Sequence, residues 1–136
     1  MPNGFQGSSH DWDRMEAPLL KIDPILASFA TLHHLSRSAT YHSWPERSLS
    51  WSSEGIRKLI QIYFQDVKGL TLNLWISASE DRGAERFWKQ QFLRKAVPLQ
   101  ELERDLSQLL SNAKEKLDAW SGSDLELATT LNGNRT

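Results

Sequence analysis

The four histidines are the side chains best suited to metal binding or acid–base catalysis. They are His10, His33, His34 and His42. His33 and His34 are adjacent, so on a helix their rings point in different directions, and no HExxH or HxH pattern occurs. A metal site would have to join distant segments, for example His33 and His42 with Asp11. We therefore predict no metal and no cofactor.

The serines and glycines lack the spacings of the common catalytic loops. No GxSxG, SxxK, GxGxxG or GxxxxGK[ST] motif is present. The chain has no cysteine, which excludes thiolate nucleophiles, disulfides and cysteine-ligated zinc or iron–sulfur centres. One enzymatic alternative stays open, a small enzyme or ligand-binding protein with a pocket between a sheet and the first helix. His33, His42, Glu80 and Asp81 would be its polar groups.

A basic segment with interleaved aromatic residues spans 82–95. Its apolar spacing predicts a helix over 83–96, with Phe87, Trp88 and Phe92 on one arc and Arg82, Arg86 and Lys89 on the opposite one. A basic face of this kind could receive an acidic protein. Binding of single-stranded nucleic acid, through phosphate contacts and stacking, is a further alternative. It is less favoured because the aromatic and basic arcs lie on opposite sides.

The clearest strand pattern covers residues 70–79. Apolar residues alternate there with Thr71, Asn73, Trp75 and Ser77, and residues 57–66 form a second alternating arm. We predict a hairpin closed by Val67, Lys68 and Gly69, with Gly69 in the left-handed conformation. In this register the numbers of paired residues sum to 136. The predicted pairs are Phe64–Leu72, Ile62–Leu74, Tyr63–Asn73 and Gln61–Trp75.

One face of this hairpin has the composition of a binding surface. It carries Gln61, Tyr63, Asn73 and Trp75, and aromatic residues beside amides are typical of binding hot spots. Six tryptophans are present in the chain. Most of them fall on predicted apolar faces, whereas Trp75 falls on the polar side of its strand.

Helices are predicted at both ends of the chain. An apolar stripe over 11–34 indicates a helix that is kinked, or broken, near Pro18 and Pro24. We interpret this stripe as core, with a dimer seam as the alternative. A second strongly amphipathic helix is predicted over 98–121. Between 35 and 54, short strands are expected at about 38–43 and 47–52.

These elements predict an α+β fold. We expect a contiguous antiparallel sheet of three to four strands, with the kinked N-terminal helix and two C-terminal helices packed on one face. A length of 136 residues suits one domain, predicted over 10–121, with mobile tails at 1–9 and 122–136. No basic and apolar leader and no apolar stretch of bilayer length is present, so we expect a cytoplasmic protein and no membrane association.

The sequence predicts a small interaction protein without enzymatic activity. With 16 Lys+Arg against 17 Asp+Glu, no global charge attracts it to nucleic acid. The analogy, from size and class alone, is with small chaperones for secreted effectors and with toxin-neutralising immunity proteins. The expected partner is another protein or a second copy of the chain. The predicted binding residues are Gln61, Tyr63, Asn73, Trp75, Arg82, Arg86 and Lys89.

Overall fold

Two helices and six strands form the part of the chain that our computed structural model describes, residues 9–40, 46–66 and 68–130. The strands follow one another in the sheet in chain order, and each is antiparallel to the next. His42 and Trp44 lie outside the described residues, and so do the side chains of His10, Asp11 and Trp12. The elements are α1 (Ser9–His33), β1 (Ser36–Thr40), β2 (Glu46–Ser53), β3 (Ile56–Asp66), β4 (Thr71–Arg82), β5 (Glu85–Pro98), α2 (Leu99–Ala119), a 3-10 turn (Gly122–Asp124) and β6 (Glu126–Thr130).

The α+β class and the contiguous antiparallel sheet are confirmed, but the predicted counts are wrong. The sheet has six strands rather than three to four, and one helix rather than two follows it. The segment predicted as a helix over 83–96 is β5, which pairs along β4. Its residues fit both periods, and pairing with the long neighbouring strand decides the outcome. The sixth strand, β6, lies within the range 122–136 that we assigned to a tail.

The hairpin formed by β3 and β4 has the predicted register. All four predicted pairs are present, including Phe64 opposite Leu72 and Gln61 opposite Trp75. The turn differs in two respects. The register shifts between Phe64 and Asp66, so that Asp66 pairs with Thr71 and the predicted three-residue loop is not formed. The left-handed residue of the turn is Leu70, with φ of 53°, and Gly69 does not have a positive φ.

The core lies between one face of the sheet and the two helices. α1 packs against β1 and β2, and α2 packs against α1, β4 and β5. α1 is one continuous helix through Pro18 and Pro24. In α2 the predicted leucine stripe is buried along its whole length. The largest fully buried side chains are Leu19, Ile22, Leu49, Ile60, Ile62, Leu72, Leu74, Ile76, Leu102, Leu106 and Leu110.

Candidate functional site

The sheet face opposite the helices is not covered by any described element. We call this surface the open face. In an antiparallel sheet the side chains of every second residue share one face, and directly opposed residues lie on the same side. The pairing of β3, β4 and β5 therefore defines the members of its central part. They are Leu59, Gln61, Tyr63, Trp75, Ser77, Trp88, Gln90 and Phe92.

An aromatic pair lies at the centre of the open face. Trp75 is directly opposite Gln61 on β3 and Phe92 on β5. The Trp75 and Phe92 rings meet edge to face, with centroids 4.6 Å apart and planes at 75°. Lys95 places its Nζ 4.9 Å from the centroid of the Phe92 ring. All three predicted residues Gln61, Tyr63 and Trp75 are half-buried here.

Phe92 belongs to this site, although it was not among the predicted binding residues. Helical spacing grouped it with Phe87 and Trp88 on one inward-facing arc. In the strand, Phe87 faces the helices and Trp88 and Phe92 face away from them. The alternation of Arg86, Trp88, Gln90 and Phe92 with their neighbours was the signal available in the sequence.

Asn73, the fourth predicted hairpin residue, is buried in the sheet. It is 3 % exposed. Its Nδ2 donates to Oε1 of Gln65 at 2.8 Å, and its Oδ1 accepts the Ala96 N–H at 2.9 Å. Ala96 has a φ of 53° and lies where the register between β4 and β5 shifts. Asn73 therefore stabilises an irregular stretch of β5, and its polar groups are used within the chain.

The predicted basic surface of Arg82, Arg86 and Lys89 is not formed. The Lys89 side chain lies on the helix side of the sheet, with Nζ 5.1 Å from the Trp120 ring centroid. Arg86 lies on the opposite side, because it pairs with Asp81 across the strands. Helical spacing predicts one common surface for the three side chains, whereas strand alternation places Arg82 and Lys89 on the helix side and Arg86 on the open face.

The two arginines of that group are held by partners at the turn between β4 and β5. Arg82 donates to Oε1 of Glu80 at 2.8 Å and to the Gly122 carbonyl at 2.9 Å. Arg86 donates through Nε to Oδ1 of Asp81 at 2.8 Å. This hydrogen bond holds the pKa of the Asp81 carboxyl below its usual value and raises the pKa of Arg86. Both groups of that pair are exposed, so they form an ordinary surface ion pair.

The described polar groups of the enzymatic alternative, His33, Glu80 and Asp81, are not brought together, and His42 lies outside the described residues. His33 lines a cleft between α1 and α2, and its ring contacts Phe29 with centroids 4.3 Å apart. Glu80 and Asp81 are engaged by arginines at the turn between β4 and β5. Within the described residues, no three histidine or acidic side chains form a group that could hold a metal ion.

A small cavity does lie between α1 and the first two strands, but its lining is different. It has a volume of about 230 Å³ and is lined by residues that include Asp23, Leu26, Arg37 and Arg47. Arg47 is 3 % exposed, and its guanidinium donates to both carboxylate oxygens of Asp23, at 2.7 and 3.3 Å. Typical ligand pockets start at about 300 Å³. This cavity is smaller, and its partly buried ion pair joins α1 to β2.

Comparison with known proteins identifies no relative. No protein-family model matches the chain, and no similar curated protein or solved structure was found. Among the described elements, neither helix combines the length and apolar character needed to cross a membrane.

Proposed function

We propose that this chain is a cytoplasmic, non-enzymatic protein-binding module, and that its open face binds another protein. The observation that carries the proposal is the Trp75–Phe92 pair at the centre of an uncovered sheet face. Gln61 and Tyr63 lie beside this pair and can supply hydrogen bonds. By size and class, the chain is comparable with small chaperones and immunity proteins.

The composition of the open face suits a protein partner. Binding hot spots are enriched in tryptophan and tyrosine, cluster near the interface centre and are surrounded by contacts that exclude water. Trp75 occupies such a central position, because β3 and β5 flank it on both sides. The adjacent strands β1 and β2 present Ser38, Ser48 and Ser50 on the same face. Because serine side chains are short, this part of the open face does not project beyond the aromatic pair.

Photo-crosslinking in native cells tests where a partner binds. A photoreactive amino acid at Ser77, on the open face, should give one discrete protein adduct. The same group at Glu103, exposed on α2, is the matched control and should not give this adduct. An adduct from Glu103 but not from Ser77 would overturn the proposal.

The captured partner then allows a quantitative test. Trp75→Ala should weaken its binding by about 2 kcal/mol, or about 30-fold, if Trp75 is a hot spot. Trp88→Ala, which removes a second tryptophan from the rim of the same face, should cost less than about 1 kcal/mol. Circular dichroism should confirm that both variants are folded. Equal affinity of the Trp75→Ala variant and the wild type would contradict the role of this face.

A further inference from the structure

β1 ends the sheet on one side, and its outer backbone edge is not paired with any strand of the described chain. β1 pairs with β2 through five consecutive residues without a register shift. A regular edge of this kind offers unpaired N–H and C=O groups to another strand. We propose that two copies of the chain form a symmetric dimer by antiparallel pairing of their β1 strands.

The sequence of β1 is compatible with pairing to itself. With the twofold axis at Ser38, the two Ser38 residues are directly opposite each other. Arg37 is then opposite Ala39 of the second copy, so no two like charges are opposed. Ser36 and Ser38 have small side chains on the open face, which leave room for the second strand.

Because of the position of α1, pairing of the two β1 strands would also bring the two α1 helices together. α1 packs against β1 and β2 and so lies above the edge of the sheet. Neighbouring strands are about 4.8 Å apart, so pairing the two edges would place the two α1 axes about two strand spacings, roughly 10 Å, apart. Helices pack against each other at about 8–10 Å. The two α1 helices would therefore be in direct contact.

α1 has an uncharged flank available for this contact. Leu20, Ala27 and Thr31 recur at helical spacing on one side of the helix, and none of them lines the cleft toward α2. A second flank, with Ile25 and Leu32 about 120–140° further around the helix, lines the cleft toward α2. Leu20 is 56 % exposed, which is high for a leucine beside a core helix stripe. Ala27 is small enough to allow a close approach of the two helices.

The twofold axis that relates the two β1 strands would also relate the middle parts of the two α1 helices. Asp23 and Leu26 of α1 line the same cavity as Ser38, so this part of α1 lies at the level of the axis. In an antiparallel helix pair centred there, Leu20 of one copy would lie near Thr31 of the other. A five-residue strand pair alone buries less than the roughly 1,000 Å² expected of a stable interface. The helix flank supplies the additional area.

Single cysteines test the register, because the chain contains none of its own. Ser38→Cys should form an intermolecular disulfide under mild oxidation, since directly opposed strand residues lie within disulfide distance. Ser52→Cys, exposed on β2, is the matched control and should not. A mixture of Arg37→Cys and Ala39→Cys chains should cross-link as a heteropair. Absence of the Ser38→Cys disulfide, or equal yield from Ser52→Cys, would overturn the proposal.

Two exposed leucines of α1 test the interface without cross-linking. By analytical ultracentrifugation the wild type should be a dimer in reversible equilibrium with the monomer. Leu20→Glu should raise the dissociation constant by at least about tenfold, because it places a carboxylate in the helix contact. Leu32→Glu changes a leucine that is 71 % exposed on the other flank and should leave the constant unchanged.

Two sedimentation results would overturn the dimer. One is a wild type that stays monomeric at its highest soluble concentration, in which case the β1 edge is left to a different protein. The other is a dimer that Leu32→Glu weakens and Leu20→Glu does not. Neither result bears on the proposed function, because Gln61, Trp75 and Phe92 lie on β3, β4 and β5, away from the β1 edge.

Discussion

Two polar side chains inside the sheet, Asn73 and Arg47, are buried and hydrogen-bonded within the chain. Asn73 connects Gln65 on β3 to the Ala96 amide on β5, and Arg47 connects β2 to Asp23 of α1. A buried polar group that loses its partner costs the full desolvation penalty of that group. Both residues therefore fix the relative positions of elements that hydrophobic contacts alone would leave less defined.

Replacement of Asn73 should reveal its structural role. We expect Asn73→Ala to lower the free energy of unfolding by about 2 kcal/mol, because it leaves the Ala96 N–H without its acceptor. Asn73→Asp keeps an acceptor for that N–H, but it buries a carboxylate and loses the donor to Gln65 Oε1, so it should also be destabilising. Thr71→Ala, a half-buried neighbour on the same strand, is the control for urea unfolding. Equal losses for Asn73→Ala and Thr71→Ala would argue against this role.

Alternation predicts the face of a residue but not the partner that buries it. Gln61, Tyr63 and Trp75 lie on the face that period 2 predicts, half-exposed beside Phe92. Asn73 has the same parity, yet the irregular stretch of β5 buries it. Arg47 lies on the core face because Asp23, 24 positions away in the chain, neutralises it. Contacts of this range are absent from any local pattern.

At the scale of elements, the turn between β2 and β3 carries strain that a substitution can relieve. Ser53 pairs with Ile56, so the loop has two residues, Glu54 and Gly55. Their φ angles are 54° and 82°. Positive φ at both positions defines a type I′ turn, for which Asn-Gly is the preferred sequence. The left-handed conformation costs more free energy for glutamate than for asparagine.

Glu54→Asn should therefore stabilise the protein. We expect a gain of about 0.5–1 kcal/mol in the free energy of unfolding, and a loss of about 1 kcal/mol for Gly55→Ala. Thermal and urea unfolding would measure both. Gly83→Ala is a useful comparison, because it is another turn glycine with positive φ, 66°. If the Glu54→Asn variant were less stable than the wild type, the Glu54 side chain would make a contact that stabilises the protein by more than the relief of backbone strain.

The elements differ in how well the sequence defines them. The register of the β3–β4 hairpin follows from the sequence as far as the Phe64–Leu72 pair, because its alternation is strict and a one-residue slip would expose its core, but the turn itself differs from the prediction. α2 was predicted from a leucine stripe that fits no other period. β5 was mispredicted because its aromatic residues, Phe87, Trp88 and Phe92, fit a helical arc as well as a strand. Only its pairing with β4, a non-local contact, distinguishes the two.

At the scale of the whole molecule, the sheet has a simple order with two different edges. Each strand pairs with its sequence neighbours, so no crossover connection is needed and contiguous strands in the sequence predict the sheet order. β1 is regular, whereas β6 pairs with only the first residues of β5 and includes a register shift. Leu125, directly before β6, is nonetheless buried in the core. The fold thus extends beyond residue 121, the predicted end of the domain.

Truncation measures what this last segment contributes. A chain that ends after Ser121 loses β6, the burial of Leu125 and the carbonyl of Gly122 that accepts from Arg82. Burial of one leucine is worth about 2 kcal/mol, so we expect the free energy of unfolding to fall by at least that amount. A chain that ends after Thr130 keeps every described element and is the matched control, with an expected change within about 0.5 kcal/mol. If the two truncated chains unfolded at the same urea concentration as the full chain, β6 would be an appendage and the domain would end where the sequence predicted.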